Sequence, residues 1–492
     1  MPARKVERRP NILFITTDQM RGDCLGVEGH PVVETPNLDT LAKEGVRFAR
    51  AYSAVASCIA ARAAILTGLS QESHGRVGYE DGVAWNYPVT LPGELARAGY
   101  HTQGVGKMHF HPPRSLMGFH NVVLHDGYLH VERKSGIRIE TVDDYVPWLR
   151  QRAGADAIYD SHGLDCNSWM ARPWHLAEEL HPTNWVVTQS IDFLNRRDTT
   201  KPFFLWMSFV RPHSPLDPPQ AYWDMYSGRD IPPPPVGDWA VQKPSGPGSI
   251  NPIATAGVLD ERALRRTRAA YYALITHIDH QIGRFLQSLG EYGLLDNTFI
   301  VFASDHGDLL GDHNLFRKSL PYEGSTRVPL IIYAPPALRA RLAAGTVVDA
   351  PVELRDIMPT ILDAAGVVIP KTVEGKSLMP FARGKRPRWR EYVHGEHVRL
   401  VEPVQYLTDG REKYVWFSDN GREQLFDLTN DPAELHDLSG DASAAGRLSF
   451  WRARLARELA GREEGFSDGK RLFSGRRVAA TLTAKGVRRR PR

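Results

Sequence analysis

Cysteine is scarce in this chain: 492 residues hold only three, Cys24, Cys58 and Cys166. An odd number without CxxC spacing supports neither a disulfide framework nor a zinc site. Hydrophobic runs are short, and none approaches the ~18 residues a membrane-spanning helix needs. The first residues, Met1-Pro2-Ala3-Arg4-Lys5, are charged and lead into no apolar signal region. A surplus of one charge is missing as well: 61 basic against 57 acidic residues leave +4, too balanced to point to nucleic acid. There is no Walker loop and no GxSxG elbow. These absences predict a reduced, cytoplasmic protein without membrane or nucleic-acid partners. Only the end is strongly basic (Arg476, Arg477, Lys485, Arg488, Arg489, Arg490 and Arg492), and 476–492 reads as a solvated, disordered tail.

What is present is alternation of strand and helix. Apolar runs at 11–17, 100–105, 203–210, 298–303 and 328–333 read as buried strands. Between them lie helical patterns: Thr35-Pro36 as cap and first turn with Leu38, Leu41 and Ala42 behind it, Leu91 to Ala98, Val187 to Leu194, and Tyr271 to Phe285. Residues 110–180 read as long loops over the active face, and 231–252 as a Pro/Gly-rich excursion. The pattern predicts an α/β fold: a large, mostly parallel central sheet sandwiched by helices over 1–385. Short runs at 392–394, 405–408 and 413–417, with a helix near 450–459, predict a small antiparallel α+β subdomain over 386–475.

Chemistry-bearing residues gather directly after the strands: Asp18, Lys107, His109, His213, Asp305 and His306. Open α/β sheets bind ligands at the carboxyl ends of their strands, so this placement is where a site belongs. Each has a plainer reading alone: Asp18 as a helix cap, Lys107 as a surface lysine, the histidines as satisfied loop residues, and 305–308 as a turn. Jointly they have a direction. Two carboxylates and an imidazole suit a divalent cation, calcium or else magnesium or manganese. Lys107 and Lys318 would compensate a tetrahedral anion, and a histidine would serve as general acid. The missing nucleophile is Cys58, which opens the helix-forming run 60–66 stopped by Gly68. There, unpaired N–H groups and the dipole favour anions. A small buried hydrophobe is the alternative for a lone cysteine.

The chain resembles the sulfatase family of the alkaline-phosphatase superfamily. Cys58-Ile59-Ala60-Ala61-Arg62 with Leu66-Thr67-Gly68 is similar to that family's maturation signature, in which cysteine is oxidised to formylglycine (3-oxoalanine). Asn11 to Gln19, Gly106-Lys107-Met108-His109, Arg211-Pro212-His213, Ser304 to Asp308, Ser319 to Pro329, and Glu423 to Leu428 with Asp431 to Glu434 follow in family order. The resemblance implies a sulfate-monoester hydrolase in which Asp18, Gln19, Asp305, His306 and the modified Cys58 hold the metal. Lys107, His213 and Lys318 would bind the substrate and its leaving oxygen. His109 would assist regeneration of the aldehyde, and Arg62 would hold the modified side chain. It also implies a maturation enzyme as partner and a small aryl or sugar sulfate as substrate.

The chain departs from the family pattern in three places. Gln19 and His306 stand where many sulfatases have Asp and Asn, a combination that also resembles choline sulfatases and phosphonate monoester hydrolases. The alternative is therefore a phosphonate monoester hydrolase or phosphodiesterase using the same site. Ala60 replaces the commoner proline. Asp81 occupies roughly the place of a substrate-binding Asn. A catalytically silent binding protein is the third reading. Trp85, Trp148, Trp169, Trp174 and Trp185 are candidates for stacking on a sugar or aryl ring, and a homodimer is the expected assembly.

Overall fold

The computed structural model describes residues 9–127, 136–159, 162–240, 251–335, 342–398 and 402–483. Its main sheet has eight strands: β1 (Asn11–Asp18), β2 (Val46–Phe48), β4 (His101–Gly106), β5 (Asn121–Leu124), β6 (Phe203–Pro212), β7 (Thr298–Ser304), β8 (Leu330–Tyr333) and β9 (Thr346–Val348). Their order is β5-β4-β6-β1-β7-β8-β2-β9. The sheet is parallel except at β8, which runs against both β7 and β2. Strands β3 (Ala51–Tyr52) and β10 (Val352–Glu353) form a small separate pair.

The central strands are apolar on both faces because both are covered. Leu13, Ile15, Leu205, Met207, Ile300 and Phe302 face the layer that holds the long helix Glu261–Glu291. The alternate residues Ile12, Phe14, Phe204, Trp206, Phe299 and Val301 face the layer of α2 (Cys58–Thr67) and helix Ile357–Ala364. Period-2 alternation thus assigns each residue to one of two cores. The first helix, α1 (Pro36–Glu44), is not capped as its sequence suggests. Thr35 Oγ1 accepts from Gly26 N (2.9 Å) and donates to Asp39 Oδ1 (2.9 Å). Asp279 of the long helix instead accepts from the Asn37 and Leu38 amides (3.1 and 2.8 Å).

The carboxy-terminal sheet is antiparallel, β11 (Val393–His397), β12 (Val404–Thr408), β13 (Glu412–Phe417) and β14 (Glu423–Asp427) in sequence order. One face packs Leu407, Tyr414, Trp416 and Leu425 against Leu448, Trp451 and Leu455 of helix Ala445–Glu458. The other packs Tyr406, Val415 and Phe426 on Leu309 and Tyr322 of the main unit.

Two expectations need correction. Residues 110–180 are not all loop: β5 and helix Tyr145–Ala153 lie within them. The segment expected as a solvated tail is fixed in part, since Val77 N donates to Ala480 O (2.9 Å) and Leu482 N to Gly75 O (2.8 Å). Ala480 and Leu482 bury their side chains in a small cluster with Val77 and Val398, which anchors that stretch despite Arg476 and Arg477. The remaining basic residues, from Lys485 onward, lie outside the described residues.

The seam between the two units is ionic at its centre. Lys413 Nζ, fully buried, reaches Glu323 Oε1 (2.8 Å), Glu434 Oε1 (3.0 Å) and the Pro321 carbonyl (2.7 Å). Burial pushes the Glu434 carboxyl up to about 7; Lys413 opposes that shift and Glu323 adds to it. A carboxyl raised on folding contributes most below its unfolded value of about 4.3, and the contribution is lost as pH rises through 7. Lys413→Met should therefore destabilise by about 3–5 kcal/mol through the stranded carboxylates, and adding Glu434→Gln should recover part of the loss. In chemical denaturation, Glu434→Gln alone should flatten the fall in stability between about pH 5 and 8.

Candidate active site

The strands converge on one point at their carboxyl ends. Backbone bonds tie them there: His213 N donates to Asp18 O (3.1 Å), Asp305 N to Thr17 O (3.2 Å) and Lys107 N to Ser208 O (3.0 Å). Gly106 makes the last approach possible, because it sits at φ 92° and a Cβ there would lie 1.9 Å from the Ser208 carbonyl oxygen. β1 delivers Asp18, β4 leads to Lys107 and His109, β6 to His213, and β7 to Asp305 and His306.

Opposite them α2 begins at Cys58, preceded by Ser57 in extended conformation with no side-chain cap. The helix ends, as its sequence indicates, at Gly68 with φ 67°. The orphan amides of this buried first turn face the strand ends, which suits an anion.

The ligand atoms of Asp18, Cys58, Asp305 and His306 all lie within 4.8 Å of one another, and all four residues are buried. His306 Nδ1–H donates to the Gly307 carbonyl (2.9 Å), which leaves Nε2 facing Cys58 Sγ and Asp18 Oδ1, each at 3.3 Å. Such a hydrogen bond fixes the imidazole in ligating orientation. Asp305 Oδ1 accepts from the Gln19 and His306 amides (3.1 and 2.9 Å). Two buried carboxylates, an oriented imidazole and the residue at 58 form a donor set that fits a divalent cation.

Cations surround this cluster. Lys107 Nζ pairs with Asp18 Oδ2 and lies 3.8 Å from Cys58 Sγ. Lys318 Nζ approaches Cys58 Sγ at 3.0 Å, Gln19 Oε1 at 3.1 Å and His213 Nε2 at 3.1 Å. Burial pushes the Asp18 carboxyl up, but Lys107, with His213, Lys318 and His306, holds it well below the usual range. Burial and Asp18 likewise raise the Cys58 thiol, and Lys107, Lys318 and His306 more than offset them, so position 58 lies in a field that stabilises negative charge. Asp305 is pushed up by burial and by Asp18. His213 is held neutral by burial and Lys318, its Nδ1–H donating to Ser214 O (3.0 Å).

Three expected contacts take a different form. Arg62 does not bond to residue 58: its Nε donates to Asp305 Oδ2 (3.0 Å) and its Nη1 to the Lys107 carbonyl and Ser208 Oγ (3.0 Å). It is a buried strut that joins Asp305 to the ends of β4 and β6, one turn of α2 past Cys58. The Gln19 carbonyl is turned to Lys318, while its Nε2 donates to Asp308 Oδ2 (2.5 Å). Asp81 accepts from Tyr79 and lies 3.4 Å from His109 Nε2. Burial lowers His109, yet its bonds to Asp81 and Cys58 raise it to about 9. Of the tryptophans, Trp85, Trp174 and Trp185 are buried, Trp148 stacks on Tyr145, and Trp169 donates to the Asn251 carbonyl (3.0 Å).

Asp126 escaped notice in the sequence. Its Oδ1 accepts from the Met108 and His109 amides (2.8 and 2.9 Å), holding the turn that aims both Lys107 and His109. It stands two residues beyond β5, so the rule that found Asp18 would have found it, had a strand of only four residues been legible.

Arg62→Lys retains the charge but loses the planar fork that spans Asp305, Lys107 and Ser208. Divalent-cation affinity, read by chelator competition, should fall about 10–100-fold with the fold intact. Unchanged affinity would show that Arg62 does not position Asp305.

Comparison with known proteins agrees with this geometry. The family model Sulfatase matches residues 10–367, and the model "N-sulphoglucosamine sulphohydrolase, C-terminal" matches 311–459. An arylsulfatase of Clostridium perfringens is 54% identical over 484 residues, 98% of this chain and 100% of the relative. A choline-sulfatase of Rhizobium meliloti is 31% identical, covering 88% of this chain and 82% of the relative. The crystal structure of a phosphonate monoester hydrolase of Agrobacterium radiobacter superposes with a TM-score of 0.75 at 27% identity, over 91% of this chain and 95% of that one. The residues that meet at Cys58 and the matches along nearly the whole chain lead to one assignment: the protein belongs to the sulfatase family of the alkaline-phosphatase superfamily and is a sulfuric ester hydrolase.

Proposed function

We propose that the enzyme cleaves aryl or sugar sulfate monoesters, using formylglycine made from Cys58 by a maturation enzyme and one divalent cation, calcium in this reading. The observation that carries it is the joint placement of Cys58 Sγ within the Asp18–Asp305–His306 cluster and 3.0 Å from Lys318 Nζ. Asp18, Asp305, His306 and residue 58 would hold the cation. Hydrated formylglycine supplies an oxygen nucleophile, and the cation supplies positive charge for the sulfate oxygens.

The chain's own groups do the rest. Lys107 and Lys318 bracket residue 58 and neutralise charge on the bound sulfate. Lys318 Nζ donates to His213 Nε2, so this pair holds a mobile proton beside the leaving oxygen. His109, backed by Asp81, faces residue 58 and is placed to assist there when the aldehyde re-forms. Arg62 and Asp126 keep these groups in register from below and beside. The three cysteines are buried and none forms a disulfide, which supports a reducing, cytoplasmic setting.

A second reading is supported by Gln19 and His306 and by the likeness to a phosphonate monoester hydrolase: phosphonate monoesters or phosphodiesters as preferred substrates. Kinetics on matched aryl sulfate, aryl phosphodiester and aryl phosphonate separate the two. The sulfate reading predicts kcat/KM at least about a hundredfold higher on the sulfate, and Cys58→Ala should abolish turnover of all three. A diester preference of similar size would reverse the assignment.

A further inference from the structure

The far end of the chain returns to the active site. Chain ends fray unless something ties them down. Here Arg476 and Arg477 are exposed, and then Ala480, Thr481 and Leu482 are only 1%, 2% and 3% exposed. This stretch lies antiparallel to 75–77: beside the bonds of Val77 to Ala480 and of Leu482 to Gly75, Arg76 and Thr481 form an antiparallel bridge. On the other edge Val398, just past the end of β11, pairs with Gly78, and its N donates to the Val77 carbonyl (3.0 Å). Residues 76–78 are thus the middle of three paired segments.

Alternation gives the residues of the outer segment two jobs. Ala480 and Leu482 turn into the apolar cluster with Val77 and Val398. Thr481 turns the other way, and its Oγ1 donates to Glu80 Oε2 (3.2 Å). Glu80 stands between Tyr79 and Asp81. Tyr79 Oη donates to Asp81 Oδ2, Asp81 Oδ1 lies 3.4 Å from His109 Nε2, and the Tyr79 and His109 rings meet edge to face with centroids 6.4 Å apart. A continuous line of contacts therefore runs from Thr481 to His109.

The stretch between helices Gln71–His74 and Leu91–Arg97 contains no helix or strand, so its shape is set by what it leans on. Beyond Asp81 the support is Arg76, whose Nε donates to Tyr87 Oη (2.9 Å) and whose Nη2 donates to the Val83 and Ala84 carbonyls (3.1 and 3.2 Å). Before Asp81 the support is Val398 and the segment 480–482.

We propose that residues 480–482 are a strap that positions the Tyr79–Asp81 loop, with Thr481 a positioning residue for His109 when the aldehyde re-forms. The inference rests on the sulfate-ester reading above. A displacement of about 1 Å at a reacting group can cost about a hundredfold in rate. Lys107, Lys318 and His213, which serve the first half of the turnover, stand on other supports and keep their places. In that reading the alcohol leaves before the aldehyde re-forms, so a loosened strap gives a normal first turnover followed by slow ones.

The test uses the matured holoenzyme and rapid mixing with 4-nitrophenyl sulfate. Thr481→Val keeps the shape and loses the hydroxyl; it should lower steady-state kcat about 3–10-fold while first-turnover release of nitrophenol stays within about twofold of wild type. Thr481→Ser, which keeps the hydroxyl, should restore kcat. Ending the chain at Arg477 should lower kcat about 10–100-fold with the same burst. In an Asp81→Asn background, Thr481→Val should cost less than about twofold more, because both act through one contact. Unchanged kcat in Thr481→Val, equal slowing of first and later turnovers, or a full additional loss in the Asp81→Asn background would overturn the proposal and leave 480–482 a packing segment. No turnover of aryl sulfate by wild type would instead defeat the sulfate-ester reading, and this proposal with it.

Discussion

Two buried carboxylates at one point repel each other, and the architecture around them exists to hold them there. Asp18 and Asp305 come from adjacent parallel strands and are both fully enclosed. Lys107 pairs with the first and Arg62 with the second, and each cation is fully buried too. Such pairs gain little net stability after desolvation, so their value lies in geometry. A divalent cation shared by Asp18, Asp305, His306 and residue 58 would complete the balance of charge. The same field stabilises negative charge at position 58, where the proposed oxygen nucleophile would form.

The precision of that cluster comes from the sheet. Its strands are clamped between two cores, and their ends are cross-linked by backbone bonds such as His213 N to Asp18 O. Functional groups mounted on such a scaffold keep their positions better than groups on free loops. The carboxy-terminal sheet is seated by the Lys413 cluster and by Tyr322 and Leu309, and its first strand bonds to Ala54 and Val77 on either side of α2.

Much of this was legible in the sequence because the chemistry is local to strand ends. Asp18, Lys107, His213, Asp305 and His306 each follow an apolar run, so period and position sufficed to name them. The two-sided burial of β1, β6 and β7 was equally readable from their unbroken apolar runs. What escaped depends on contacts between distant residues. The family resemblance implied that Arg62 contacts residue 58, but the helix sends it 243 residues away in sequence to Asp305. The cap of α1 comes from Asp279, and no local pattern points there. Helix Tyr145–Ala153 was masked by its Trp, Arg and Pro content, and β5 by its shortness.

The central claim is that Cys58 is a precursor, set in a pocket charged to suit the oxygen nucleophile made from it. Mass spectrometry of the peptide spanning residue 58 tests this most directly, on enzyme co-produced with a sulfatase-maturing partner and assayed in parallel on an aryl sulfate. The account predicts an aldehyde at position 58 in a fraction of molecules that tracks specific activity. Full sulfate release by protein carrying only the unmodified thiol would contradict it.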